Sequence, residues 1–237
     1  MNTSAALLAV QGIDSGYGEA MVLKELNLSL QPGEILAILG KNGMGKSTLM
    51  KTLMGFIRPK KGTVSFFGEA TTKWSPDRIA RHRVAYIQQE HALFQDLTVR
   101  QNLGLALARD KDFAERFEAI ADHFPFLKDR MLQKAGTLSG GEQKMLLVAR
   151  ALLCRPRVIL IDEITEGMQP SVIERLIGIL RHEREQFGTA LLVVEQNIHF
   201  ALAVADRYAV LELGCIVATS ATTDTDAHAR ITRHLAV

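Results

Sequence analysis

Residues 35–53 run ILAILGKNGMGKSTLMKTL: an apolar stretch of strand length, a glycine-rich turn, and a helix-forming segment that stops ahead of Gly55. Few local patterns constrain a fold as tightly. A continuous apolar strand is expected where both faces are covered, as in a parallel sheet flanked by helices. Gly40 to Ser47 fits G-x-x-x-x-G-K-[ST], in the strand-then-helix context that gives the motif its meaning. The glycines let successive backbone N–H groups face phosphate oxygens, and the helix start adds partial positive charge. In that arrangement Lys46 reaches the β- and γ-phosphates and the Ser47 hydroxyl ligates Mg²⁺. Asn42, Gly43, Gly45 and Thr48 complete the candidate contacts to a nucleotide such as ATP.

A second feature then acquires a purpose. Residues 157–170, RVILIDEITEGMQP, run a buried-type strand into two adjacent carboxylates, Asp162 and Glu163. A charge at the edge of an apolar core is costly unless it is paired, hydrated or bound to a metal. A phosphate-binding loop calls for an acidic residue at a neighbouring strand end to hold Mg²⁺, and Asp162 fits. Glu163, one residue on, is placed to accept a proton from an attacking water.

Around these motifs the chain alternates. AALLAVQGI and LNLSL are strand-like, SGYG (15–18) and QPG (31–33) are turns, and TVSFF and VAYI are further strands. Residues from about 97 to 155 are mainly helical. Thr98 with Gln101 and Ser139 with Glu142 form capping boxes, FAERFEAIADHF has helical spacing, and Pro156 ends the second capped helix. Afterwards VILI, ALLVV and the hairpin YAVLELGCIVAT alternate with SVIERLIGIL and IHFALAVA. The expected fold is α/β: a mostly parallel sheet, an N-terminal antiparallel β portion and an inserted α-helical subdomain. We expect one domain over 1–237, with 1–90 and 157–237 as catalytic core and about 91–156 as the helical insert.

Composition excludes several alternatives. With 28 basic and 26 acidic side chains the net charge is +2, so nucleic acid is not an expected partner. No apolar stretch approaches the roughly 18–20 residues that span a bilayer. MNTSAALLAVQG lacks the basic start of a signal peptide. Cys154 and Cys215 have no metal-ligand spacing and are expected as structural thiols in a reducing compartment.

LSGGE (138–142), opening a helix ahead of the acidic strand end, resembles the signature motif of ATP-binding cassette (ABC) ATPases. With the loop at 40–47 and the Asp162–Glu163 pair, the resemblance covers essentially the whole chain. It implies an ABC ATPase working as a dimer, with itself or a sister cassette, and sandwiching two ATP molecules. Ser139 and the N–H groups of Gly140 and Gly141 would grip the γ-phosphate of ATP held by the other subunit. The resemblance also assigns Tyr17 to adenine stacking and Gln89 to Mg²⁺ and the attacking water. Glu163 takes the catalytic-base position.

Three departures from the family pattern stand out: Ile164 replaces a common proline, Gln169 a frequent aspartate, and Gln196 the usual γ-phosphate histidine. An amide donates a hydrogen bond but cannot become a cation. VEQN and TEGMQP resemble the branch energising importers of branched-chain amino acids, amides and urea. That branch implies integral membrane permease subunits, an extracytoplasmic substrate-binding protein and a place on the cytoplasmic face of the inner or plasma membrane. Docking on the permeases is expected around Gln89 to Val99, with His91, Phe94 and Gln95 exposed. The rival readings are an ABC exporter ATPase and a soluble, non-transport ABC ATPase.

Overall fold

A computed structural model describes residues 6–89 and 93–235. The chain begins with an antiparallel sheet. β1 (Leu8–Tyr17) and β2 (Ala20–Leu30) form its first hairpin, followed, after the strand and helix described next, by β4 (Lys61–Phe66) and the short β5 (Glu69–Ala70), in the order β2-β1-β4-β5. Between these hairpins lie β3 (Ile35–Leu39) and α1 (Lys46–Leu53). α2 (Pro76–Arg81) and β6 (Val84–Ile87) follow. The central stretch holds α3 (Val99–Gly104), α4 (Phe113–Glu118), α5 (Pro125–Asp129) and the long α6 (Gly140–Leu153). The rest is β7 (Val158–Asp162), α7 (Pro170–Phe187), β8 (Ala190–Glu195), α8 (Ile198–Val204), β9 (Arg207–Glu212), β10 (Cys215–Ala221) and α9 (Ala227–Leu235).

The second sheet runs β10-β9-β3-β8-β7-β6; every neighbouring pair is parallel except β9 with β10. Its two faces divide the core by strand alternation. Ile35, Ala37, Leu39, Ile159, Ile161, Leu191 and Val193 pack with α6, α7 and α8. Leu36, Ile38, Val158, Leu160, Leu192 and Val194 pack with α1 and the antiparallel sheet. Both faces are covered, so β3, β7 and β8 are buried along their whole length, as their apolar runs require.

Several expectations need correction. SGYG is not a turn: β1 continues through Tyr17, Gly16 pairs with Met21, and only Gly18 and Glu19 turn the chain. FAERFEAIADHF is not one helix. α4 ends at Glu118 and a 3₁₀ turn spans Ala121–His123, because Phe117, Ile120 and Phe124 all have to reach the core. RPKKG (58–62), a charged turn by its sequence, already belongs to β4 from Lys61, and the capped helix before Pro156 ends at Leu153. β5, α2 and α9 lie in sequence read without a regular element.

Candidate functional site

The strand order β3-β8-β7-β6 places four C-terminal strand ends side by side. In a parallel sheet this is where loops from successive strands converge on a ligand. Leu39 pairs with Glu195 and Asp162 with Val194, so Gly40, Gln196 and Glu163 leave the sheet at nearly one level. Gln89 follows β6 at the edge. The resulting cleft, about 330 Å³, is lined by Asn42, Gly43, Gly45, Lys46, Ser47 and Thr48, and by Gln89, Glu163 and Gln196. Val22 and Glu166 complete it.

The loop geometry follows from its glycines. Gly45 precedes α1 with φ 105°, and a Cβ there would lie 2.9 Å from Leu23 Cδ2, so both backbone and packing demand glycine. No side chain caps α1. Its first N–H groups are left for a ligand. Lys46 is buried, donating to the carbonyls of Gly40 and Lys41 at 2.7 Å each and pairing with Glu163 Oε1 at 2.9 Å.

Glu163 has φ 46°, a left-handed conformation unusual for glutamate, while its N–H prolongs the ladder to Val194 O at 2.9 Å. Such backbone conformations cost of order 1–3 kcal/mol and cluster at functional sites. The strain turns the Glu163 carboxylate back over the loop towards Lys46. Asp162 is buried beneath: Tyr86 donates to its Oδ2 at 3.2 Å, and Oδ1 has no partner among the described residues. Burial pushes the Asp162 carboxyl up despite the Tyr86 hydrogen bond, and burial beside Asp162 pushes the Tyr86 phenol up as well. An orphaned, buried carboxylate oxygen is a place for a cation.

The remaining candidates divide. Gln196 Nε2 donates to Asn42 Oδ1 at 2.8 Å, which lays the β8 end across the phosphate loop. Gln89 Nε2 donates to Glu166 Oε2 at 2.9 Å, while Lys144 of α6 reaches the Glu166 carbonyl. Tyr17 is half-exposed, its ring 5.9 Å from Lys51 Nζ, and it does not line the cleft. Ser139, Gly140 and Gly141 stand at the start of α6 and do not line the cleft. Ser139 is engaged instead with Glu142, whose Oε2 accepts from the Ser139 N–H at 2.9 Å and from its hydroxyl at 2.8 Å.

Sequence reasoning gave no role to Glu166, Tyr86 or Glu195. Glu195 is buried behind the cleft, where Oε1 accepts from Thr165 N at 3.0 Å and Oε2 from Thr165 Oγ1 at 2.9 Å. It braces the turn that carries Glu163 into Glu166. The polar run TEG after the acidic pair was the only signal for this second layer.

A glycine loop feeding an uncapped helix, with a lysine and two strand-end carboxylates around it, defines a nucleoside triphosphate site on a parallel α/β sheet. The family described as ABC transporter matches residues 23–166, and the chain belongs to that family as an ATP-binding ATPase subunit. The high-affinity branched-chain amino acid transport ATP-binding protein BraG of Pseudomonas aeruginosa is 36% identical over 213 residues, spanning 89% of this chain and 91% of that protein. A probable branched-chain amino acid transport ATP-binding protein, LivF of Archaeoglobus fulgidus, is 33% identical over 210 residues, 88% of this chain and 89% of its own. A nucleotide-free ATP-binding cassette from an ABC transporter superposes with TM-score 0.87 at 23% identity, covering 97% of this chain and 96% of that one. That last likeness concerns the fold.

Proposed function

We propose that this chain hydrolyses ATP to drive an importer of branched-chain amino acids or a related amide or urea cargo. The observation that carries the catalytic part is the meeting of Lys46, Glu163 and Asp162 at adjacent strand ends. Lys46 exchanges its loop carbonyls and Glu163 for phosphate oxygens when nucleotide enters. Glu163, released, accepts the proton of the attacking water. The Gln196 amide gives up Asn42 to donate to the γ-phosphate, and Tyr17 offers its exposed ring to adenine. Mg²⁺ fits the residues present: Asp162 Oδ1, the Ser47 hydroxyl and Gln89 would hold it, and it would neutralise charge on the β- and γ-phosphates. Among the described residues no cluster of three His, Cys, Asp or Glu side chains could hold a metal. A sparse donor set completed by phosphates and water is the habit of Mg²⁺ in such sites.

The start of α6 completes a second site on a partner cassette, so hydrolysis belongs to a dimer, of this chain with itself or with a sister. Among the described residues no helix is long and apolar enough to cross a membrane, so cargo must pass through other subunits. A groove of about 480 Å³ fits them, lined in part by Phe56, Phe94 and Leu105, each more than half exposed. Of the expected docking residues, Phe94 and Gln95 are exposed, and His91 lies outside the described residues. The subdomain division at about residues 90 and 157 and the peripheral cytoplasmic-face location belong to the same reading.

The test is purification from native membranes in mild detergent, joined to uptake of labelled leucine, acetamide and urea by a deletion strain. We expect two integral membrane proteins and a second cassette to accompany the chain. Leucine uptake should return with the wild-type gene and not with Glu163→Gln. Unimpaired uptake of all three solutes in the deletion strain would overturn the cargo assignment.

A further inference from the structure

A cavity of about 660 Å³ lies at the opposite end of the parallel sheet from the nucleotide cleft. Segments preceding four parallel strands surround it: Pro32 before β3, Arg83 before β6, Arg155 to Arg157 before β7, and Gly188 before β8. Ile120, Leu152 and Leu153 supply apolar wall from the helical part of the chain. The size is that of a small-molecule site.

Its charge is one-sided. Arg83, Arg116, Arg155 and Arg157 line it against a single carboxylate, Glu183. Arg83 is committed, its Nε and Nη2 donating to the Arg155 carbonyl at 3.0 and 2.6 Å. Arg155 pairs with Glu115 at 3.1 Å. Arg157 lies over the Phe67 ring at 4.0 Å, and among the described residues neither it nor Arg116 has a carboxylate in ion-pair contact. Glu183 is buried and accepts from Thr189 Oγ1 at 2.7 Å; burial pushes its carboxyl up, so it is poorly suited to offset the arginines. Arg83 and Arg155 hold φ of 65° and 47°, backbone conformations that side-chain-bearing residues rarely adopt. Two committed, strained arginines thus frame two that have no carboxylate partner among the described residues, above an apolar wall.

We propose that this cavity binds an amphipathic organic anion, a carboxylate or phosphate ester on an acyl- or aryl-sized apolar body. Arg116 and Arg157 hold the anionic group. Ile120, Leu152 and Leu153 take the apolar body. Because Arg116 and Ile120 belong to the helical part and Glu183 and Gly188 to the sheet core, the ligand ties those two parts together away from the nucleotide.

The test is a fluorescence titration of the full chain with anilinonaphthalenesulfonate, followed by competition with decanoate and with decanol. We expect one saturable site that decanoate displaces and decanol at equal concentration does not. Arg116→Gln with Arg157→Gln should weaken it by about tenfold or more. The paired lysine substitutions, which keep the charge, should retain it, and ATP binding should be unchanged in both variants. Phe94→Ser, in the other apolar groove, should leave the site intact. Equal displacement by decanol, undiminished affinity in the paired glutamine variant, or loss of the site in Phe94→Ser would overturn the proposal.

Discussion

α1 begins behind Gly45, which leaves no side chain over the helix end, whereas α6 begins behind Ser139, whose hydroxyl and N–H both go to Glu142. Both starts are glycine-containing; in the proposed dimer the α1 start serves the ATP of its own chain and the α6 start the ATP of the partner cassette. One is open: its N–H groups lack a side-chain cap and the nearby cation, Lys46, is held inward by two carbonyls and Glu163. The other is closed by a reciprocal capping box, with Arg130 pairing to Glu142 Oε1 at 2.8 Å. The contrast indicates an order of events. In the proposed reading, the α1 site takes phosphate in the lone chain, while the α6 start, satisfied by Glu142, takes it only when an anion displaces Glu142 from Ser139.

The largest expected effect probes the open side. Glu163→Gln should lower ATP turnover by about 10²–10⁴-fold, the usual worth of a general base, while nucleotide affinity stays near wild type. Phosphate release and equilibrium ATP binding together check it. Wild-type turnover would remove Glu163 from the base role. Next is Lys46→Ala, which leaves Glu163 buried and unpaired, both partners being under a tenth exposed. Losing one partner of a buried ion pair costs about 3–5 kcal/mol, so thermal stability should drop along with ATP affinity. If ATP rescues the melting temperature as fully as in wild type, Lys46 is not a phosphate ligand.

Ser139→Ala separates the two starts. Loss of an N-cap costs about 1 kcal/mol, or roughly 2–4 °C in a chain of this size. ATP affinity of the isolated chain should not move, because Ser139 does not line the cleft, while turnover by the assembled dimer should fall. A matching loss of affinity in the isolated chain would show that the starts are not independent.

The open start was easy to read from sequence because its parts are contiguous: strand, loop and helix occupy residues 35–53. The capping box of α6 spans four residues and was equally plain. What escaped depends on contacts between distant segments. Gln89 and Glu166 are 77 positions apart, Tyr86 and Asp162 76, and Thr165 and Glu195 30. No periodicity encodes such pairs. α9 packs Ala227, Ile231 and the half-buried Leu235 along one narrow face, three apolar positions in a short, otherwise polar segment, which is a faint signal in sequence. SGYG misled because its glycines suggest a turn, although the ladder to β2 continues through Gly16.

The smallest effect is a slope, and it sharpens the contrast through the carboxylates serving each start. Burial alone would raise Glu142, but the Ser139 hydrogen bonds and the Arg130 charge outweigh it, and its carboxyl is lowered. Its stabilisation is therefore present above the unfolded value, about 4.3, and lost as pH falls through the lower folded value. Glu195, behind the open start, is shifted the other way: burial raises it more than the Thr165 and Gln196 hydrogen bonds lower it. Its contribution is full below the unfolded value and declines as pH rises through the raised folded one. Melting curves of Glu142→Gln and Glu195→Gln from acid to mildly alkaline pH should therefore diverge from wild type in opposite senses. The deficit of Glu142→Gln should shrink towards acid. Glu195→Gln loses an acceptor for Thr165 at every pH, so its diagnostic is the slope, improving against wild type as pH rises. Parallel slopes would mean that the two carboxylates sit in equivalent environments, and the distinction between an open and a self-satisfied start would lose its electrostatic basis.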